Sequence, residues 1–166
     1  MGFSLMFLRV RNGDVVDADR AGLADFLARE GLVAPDDAGE LRRSSDGEAL
    51  AFDGRWTDLQ LDGLSQEEPG TGGIAHATLS PDEVSFIFRL CVAGKMMVIN
   101  PQGSPMYIVP AETHVREELP DPEDTVWVGT PVELAQALGS SFGDFSTFRD
   151  RVIGQAGPDA DEEAVR

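Results

Sequence analysis

The sequence predicts an α+β fold: a single domain in which a mixed or antiparallel sheet of about five to seven strands is packed by three or four helices. Three observations carry this. Short apolar runs bounded by Gly, Pro, Asp and Asn recur along the 166 residues, at lengths that suit strands. Two segments, Ser80-Pro81-Asp82-Glu83 and Thr130-Pro131-Val132-Glu133, carry the start signal of a helix: a hydroxyl cap, a proline in the first turn and a glutamate three residues on. Finally, only three helices sit where a crossover between parallel strands is possible, and several strands are joined by hairpin-length links, so a doubly wound parallel sheet is not expected.

Residues 3–10 are rich in Phe, Leu, Met and Val without helical spacing, and Arg11-Asn12-Gly13-Asp14 follows as a turn, which predicts a first strand buried on both faces. Asp17 is placed to cap a helix over about 18–30 in which Leu23, Phe26 and Leu27 share one face and Gly31 closes the end. Residues 34–48 hold Pro, Asp, Gly, Ser and two adjacent arginines, and read as a surface loop or a weak short helix, a poor place for a core. Ala49–Phe52 and Thr57–Leu61 are expected to pair as strands across Asp53-Gly54-Arg55-Trp56, with Leu59 and Leu61 facing inward. Ser65–Gly73, rich in Gly and Glu, reads as a loop, and Ile74–Leu79 as a further strand.

The helix that starts after Ser80 carries Val84, Phe86, Ile87, Phe88, Leu90, Cys91 and Val92, apolar over most of its circumference, and ends at Gly94; it is expected to be the buried central helix. Two strands follow, Lys95–Asn100 and Met106–Val109, joined by a proline-bounded loop. Residues 111–124 hold six carboxylates and two prolines and read as an acidic connector, and Thr125–Val128 as the last strand. Leu134 and Leu138 mark the helix after Thr130, and Asp144 with Phe145, Phe148 and Val152 a fourth one. The domain is placed at 1–156, with 157–166 an acidic tail expected to be disordered.

Thirty acidic residues against thirteen basic ones give a formal charge of -17. A field of that sign repels phosphates and anionic lipid, so neither nucleic acid nor a membrane surface is an expected partner. The charge serves solubility, or else it meets a basic protein. Lys95 is the only lysine beside arginines, as in a GC-rich genome. Cys91 is the only cysteine, which rules out an intramolecular disulfide, and the apolar start Gly2–Leu8 has neither a basic segment before it nor a small-residue cleavage site. A cytoplasmic location is expected.

Catalytic patterns are missing. His76 and His114 show no zinc-ligand spacing; the first reads as a hydrogen-bonded strand residue and the second as solvated. Cys91, inside an apolar helix, reads as a small buried hydrophobe. The many carboxylates read as caps and solvated charge, and Gly70-Thr71-Gly72-Gly73 lacks the lysine of a phosphate loop. No cofactor or metal is expected. Trp56 and Trp127 are large enough to anchor an interface, and Glu112, Glu117, Glu118 and Asp121 lie in the acidic connector, so these six are the candidate interface residues. The expectation is a non-catalytic protein-binding module, of the immunity or antitoxin kind, that blocks a basic partner; it would be a monomer or small homo-oligomer. The alternative is a small-molecule-binding protein or enzyme with a pocket between the sheet and the central helix, using His76 or His114, and a structural accessory role is the third.

Overall fold

The computed structural model describes residues 2–33, 39–139 and 142–143. Its organising element is β1 (Leu5–Arg11). Side chains alternate across a strand, and here the alternation divides two cores. Leu5 and Phe7 join a cluster under the helices, whereas Leu8 and Val10 join a second one with Met97, Val109 and Leu119. Burial on both faces is thus as expected, except at Met6, which is exposed.

The other strands are β2 (Asp14–Val16), β3 (Leu32–Val33), β4 (Gly39–Glu40), β5 (Arg42–Arg43), β6 (Ala51–Phe52), β7 (Arg55–Trp56), β8 (Gln60–Leu61), β9 (Gly72–Ile74), β10 (Met97–Ile99), β11 (Tyr107–Pro110) and β12 (Thr125–Val128). Eight of them form one sheet in the order β12-β11-β10-β1-β9-β8-β4, with β2 paired to β1; β3–β5 and β6–β7 are separate ribbons. β11 and β12 run parallel and every other pair is antiparallel, so the sheet is mixed. The sequence reading stops at the Asn12–Gly13 turn and misses β2. Both turn residues have positive φ, 53° and 83°, the conformation that closes a two-residue hairpin.

Among the described residues, three helices cover one face: α1 (Arg20–Arg29), α2 (Pro81–Gly94) and α3, residues 131–139. Together with ribbons and sheet they make the α+β architecture that the sequence predicts. In α1 the cap is Asp19, whose carboxylate accepts the Gly22 N–H at 3.0 Å, and not Asp17. Asp17 is instead turned toward Arg20 and the Gly70 N–H. α2 begins as predicted, with Ser80 accepting from the Glu83 N–H at 3.3 Å. Glu83 reaches further back than a capping box requires: its Oε1 accepts the N–H groups of Thr78 and Leu79, both at 2.9 Å. Those bonds hold Leu79 at φ 56°, outside the ordinary range of a leucine.

α2 ends at Gly94, as predicted. Lys95 takes the left-handed position, at φ 55°, and Gly94 lies where α1 crosses, with the Leu23 side chain 2.9 Å from where a Cβ would stand. Gly22 is the matching gap on α1, and the Asp19 N–H donates to the Gly94 carbonyl at 2.8 Å. Both glycines permit close backbone approach, and at Gly94 the helix also ends, with the left-handed position falling on Lys95.

Further differences are local. The Asp53–Gly54 hairpin pairs 51–52 with 55–56, which puts Trp56 in a strand, and Gln60–Leu61 forms a separate strand in the main sheet. Leu41, in the stretch read as a poor place for a core, is buried in the main cluster between β4 and β5. The strand expected over 74–79 is confined to Gly72–Ile74. Gly72 belongs to it because a Cβ there would meet Leu61 Cδ2 at 2.7 Å and the Gln60 carbonyl at 2.9 Å. The expected fourth helix from Asp144 and the tail 157–166 lie outside the described residues.

Two substitutions test this account. A Cβ on Gly22 would stand 2.2 Å from the Ala93 carbonyl oxygen, so Gly22→Ala should cost about 1–3 kcal/mol and lower the urea midpoint at unchanged m-value. Glu83→Ala strands two backbone N–H groups and should cost a similar ~1–3 kcal/mol, with Glu83→Gln recovering part of it.

Candidate functional site

The acidic connector is not a solvated strand of chain. Residues 111–124 fold back as two turns of 3-10 helix, Arg116–Glu118 and Pro122–Asp124, and Leu119 seals the second cluster against Leu8, Val10, Met97 and Val109. His114, read from the sequence as solvated, is 2% exposed. Its Nε2 accepts the backbone N–H of Val10 at 3.0 Å, and Nδ1 lies 2.9 Å from the Thr113 hydroxyl. An imidazole that accepts at Nε2 carries its proton on Nδ1 and is neutral. Burial pushes the pKa of His114 below the ordinary histidine range; the nearby Glu118 carboxylate works against this, and Arg9 works with it.

The His114 carbonyl in turn accepts the indole N–H of Trp127 at 3.1 Å. Trp127 sits on β12, the strand at one end of the sheet, and remains 41% exposed. Further exposed apolar residues are Val115 on the loop, Val126 on β12 but turned to the other face of the sheet, and Val132 on α3. Glu112 and Glu117 are exposed on the loop that reaches Trp127. The other two predicted carboxylates have structural duties: Glu118 accepts the Val115 N–H at 3.2 Å and pairs loosely with Arg11, and Asp121 caps the second 3-10 turn through the Glu123 N–H. Arg116 is the one arginine in 111–124, and it is bound to Glu123 at 2.5 Å. From other elements, Arg9 and Lys95 line a cleft with Glu112 and Arg11 pairs with Glu118, while Glu117 stays exposed.

Trp56 does not join this surface. It is 79% exposed on β7, in a ribbon whose neighbour Leu50 bonds to Leu41 beside β4, the strand at the other end of the sheet. Of the six candidates, Trp127 is bonded to the loop that carries Glu112, Glu117, Glu118 and Asp121, and Trp56 lies apart.

The space between α2 and the sheet, where the alternative reading puts a pocket, is filled by Phe7, Phe86, Ile87 and Leu90. A cleft of about 390 Å³ lies on the other side of the sheet, where Thr71, Gly73 and Ala75 on β9 and its flanks make a low floor between Met6 and the Asp58–Gln60–Asp62 row. His76 stands at its end, exposed, with Nδ1 2.6 Å from Asp58; it follows β9 and is not within a strand. Both aspartates are already engaged: Asp58 accepts the Ala75 and His76 N–H groups, and Asp62 the N–H and hydroxyl of Thr71. Cys91 is fully buried, and burial pushes its thiol far above the usual range, so it is inert in the folded chain. Among the described residues no three His, Cys, Asp or Glu side chains gather in a group able to hold a metal ion, and no helix is long and apolar enough to cross a membrane.

Arg20 is a structural residue with no local signal in the sequence to single it out. Its guanidinium donates to the carbonyls of Leu64, Gln66 and Glu68, and it bonds Asp17, so the loop before β9 is tied to α1. Slight burial pushes the Asp17 carboxyl upward, but the Gly70 N–H and the Arg20 guanidinium outweigh it and hold the pKa below the usual range. No family model, curated protein or solved structure matches the chain.

Two outcomes follow from these bonds. Unfolded His114 takes up a proton near the ordinary 6.5, while the folded group stays neutral to lower pH. The unfolded state thus binds more protons in that window, and stability falls as pH falls through it. Calorimetry should show wild type losing melting temperature between about pH 7.5 and about pH 5.5, with a flatter profile in His114→Gln. Arg20→Ala should leave α1 and α2 folded and make 64–70 the first site of limited proteolysis, because three carbonyls lose their donor.

Proposed function

We propose that this chain is a non-catalytic protein-binding module that docks a basic protein along β12. The observation that carries the reading is a half-exposed tryptophan on the end strand, Trp127, bonded to a loop that exposes Val115, Glu112 and Glu117, on a molecule of net charge -17. A half-exposed tryptophan supplies contact area at low entropic cost, and a strand at the end of a sheet offers unpaired backbone groups. The carboxylates supply steering and select for a cationic surface. An inhibitor of the immunity or antitoxin type, which covers a basic active site, is the form that best fits a charged rim around an aromatic anchor.

Immobilised wild type, Trp127→Ala and Glu112→Lys/Glu117→Lys proteins, exposed to native lysate at low and high salt, test this. The expected result is a basic protein held at low salt and released at high salt. Its affinity should fall roughly thirtyfold in Trp127→Ala, as for a hot-spot residue, and its association rate should fall in the charge-reversed variant. Retention that is indifferent to salt and equal on all three proteins would overturn the reading.

A further inference from the structure

We propose that His114 is a proton-operated latch on this surface: when its ring takes up a proton, residues 113–119 are released from β1 and the acidic rim is no longer held beside Trp127. The consequence for binding rests on the docking reading above, but the latch itself does not.

The geometry begins in the β1–β2 hairpin. A two-residue loop makes Arg11 and Asp14 the hydrogen-bonded pair, so Val10 and Val15 form the other kind of pair, and the Val10 N–H points away from β2. On that side β10 has already ended, its last contact with β1 being Met97 opposite Leu8. A backbone donor is thus left at the centre of the molecule without a strand to accept it. His114 Nε2 fills the vacancy at 3.0 Å. A protonated ring has a hydrogen on both nitrogens, so it would present a donor to a donor, and the bond is lost rather than weakened. A buried N–H without an acceptor is costly enough to favour opening of the segment.

Other groups around the ring do not rescue the cation. Arg9, from β1, opposes it; Glu118, from the 3-10 turn, favours it, but that carboxylate is also shared with the Val115 N–H and with Arg11 at 3.8 Å. The Thr113 hydroxyl on Nδ1 is neutral. Two further ties depend on the same placement: the Gly13 N–H donates to the Glu118 carbonyl at 3.1 Å, and the Trp127 indole to the His114 carbonyl. Release of the ring therefore loosens the turn, the cover over Leu8 and Val10, and the indole together.

The test uses Trp56→Phe protein, so that Trp127 is the one emitter left. From about pH 7.5 to about pH 5, its emission should shift to the red and return on neutralisation, while far-UV circular dichroism holds. Adding His114→Gln, an acceptor that does not titrate, should abolish the shift. No shift, or one that persists with the glutamine, overturns the latch. Amide exchange of the unaltered protein gives a second reading should the glutamine variant not fold. Corrected for intrinsic rates, protection of the Val10 amide should fall at least about tenfold over that range while α2 keeps its own; unchanged protection at Val10 overturns the proposal. Neither readout involves a partner, so a latch that operates without altering capture of the basic protein would count against the docking reading alone.

Discussion

β1 carries apolar side chains on both faces and hydrogen-bonding groups on both edges, and five segments must come to it before it is satisfied. β10 and β9 pair with its first half on opposite edges, and β2 with its last three residues. α2 lies against the Leu5–Phe7 face, and the acidic connector against the Leu8–Val10 face. The one donor these partners leave over, the Val10 N–H, falls to His114. These five contacts are thus responses to demands made by one strand of seven residues.

Covering an apolar face with a segment rich in carboxylates is possible because very few of its residues turn inward. Leu119 supplies the apolar contact, His114 and Trp127 supply directed hydrogen bonds, and Glu112 and Glu117 stay in water. Ionised groups kept in water cost little, whereas a carboxylate turned onto Leu8 and Met97 would cost several kcal/mol. The arrangement leaves one face of the protein both acidic and held by few bonds. By contrast the helix side is closed by continuous apolar packing, with Phe26, Phe52 and Phe86 stacked at tilted angles and Gly22 and Gly94 letting two helix backbones approach closely.

Much of the fold was legible. The Ser80-Pro81-Asp82-Glu83 start, the apolar circumference of α2, the Asp53–Gly54 turn and the last strand before Thr130 were all readable, because caps and turns are settled within four or five residues. Boundaries slipped where two residues competed for one duty. Asp17 and Asp19 are both able to cap α1, and the loop that Arg20 binds takes the first and leaves the second. Gly94 is the last residue of α2 as the sequence suggests, but the sequence does not show the helix that crosses it there. Leu41 looks like a stray leucine in a polar loop until β4 brings it to the core.

The site was less legible than the fold. Composition named the connector and Trp127, and the structure adds that they are joined; it separates Trp56 from them, since that ribbon lies by the opposite end of the sheet. His114 was misread altogether. Its burial depends on a backbone N–H 104 residues away, at a place where one strand ends and its neighbour continues. The sequence alone determined the charge, the single buried thiol and the local starts and turns, all of which follow from residue chemistry and short-range geometry. Tertiary structure decided which carboxylates cap and which face solvent, which glycines touch, and which histidine is neutral, because each of these depends on a partner that only the closed fold supplies.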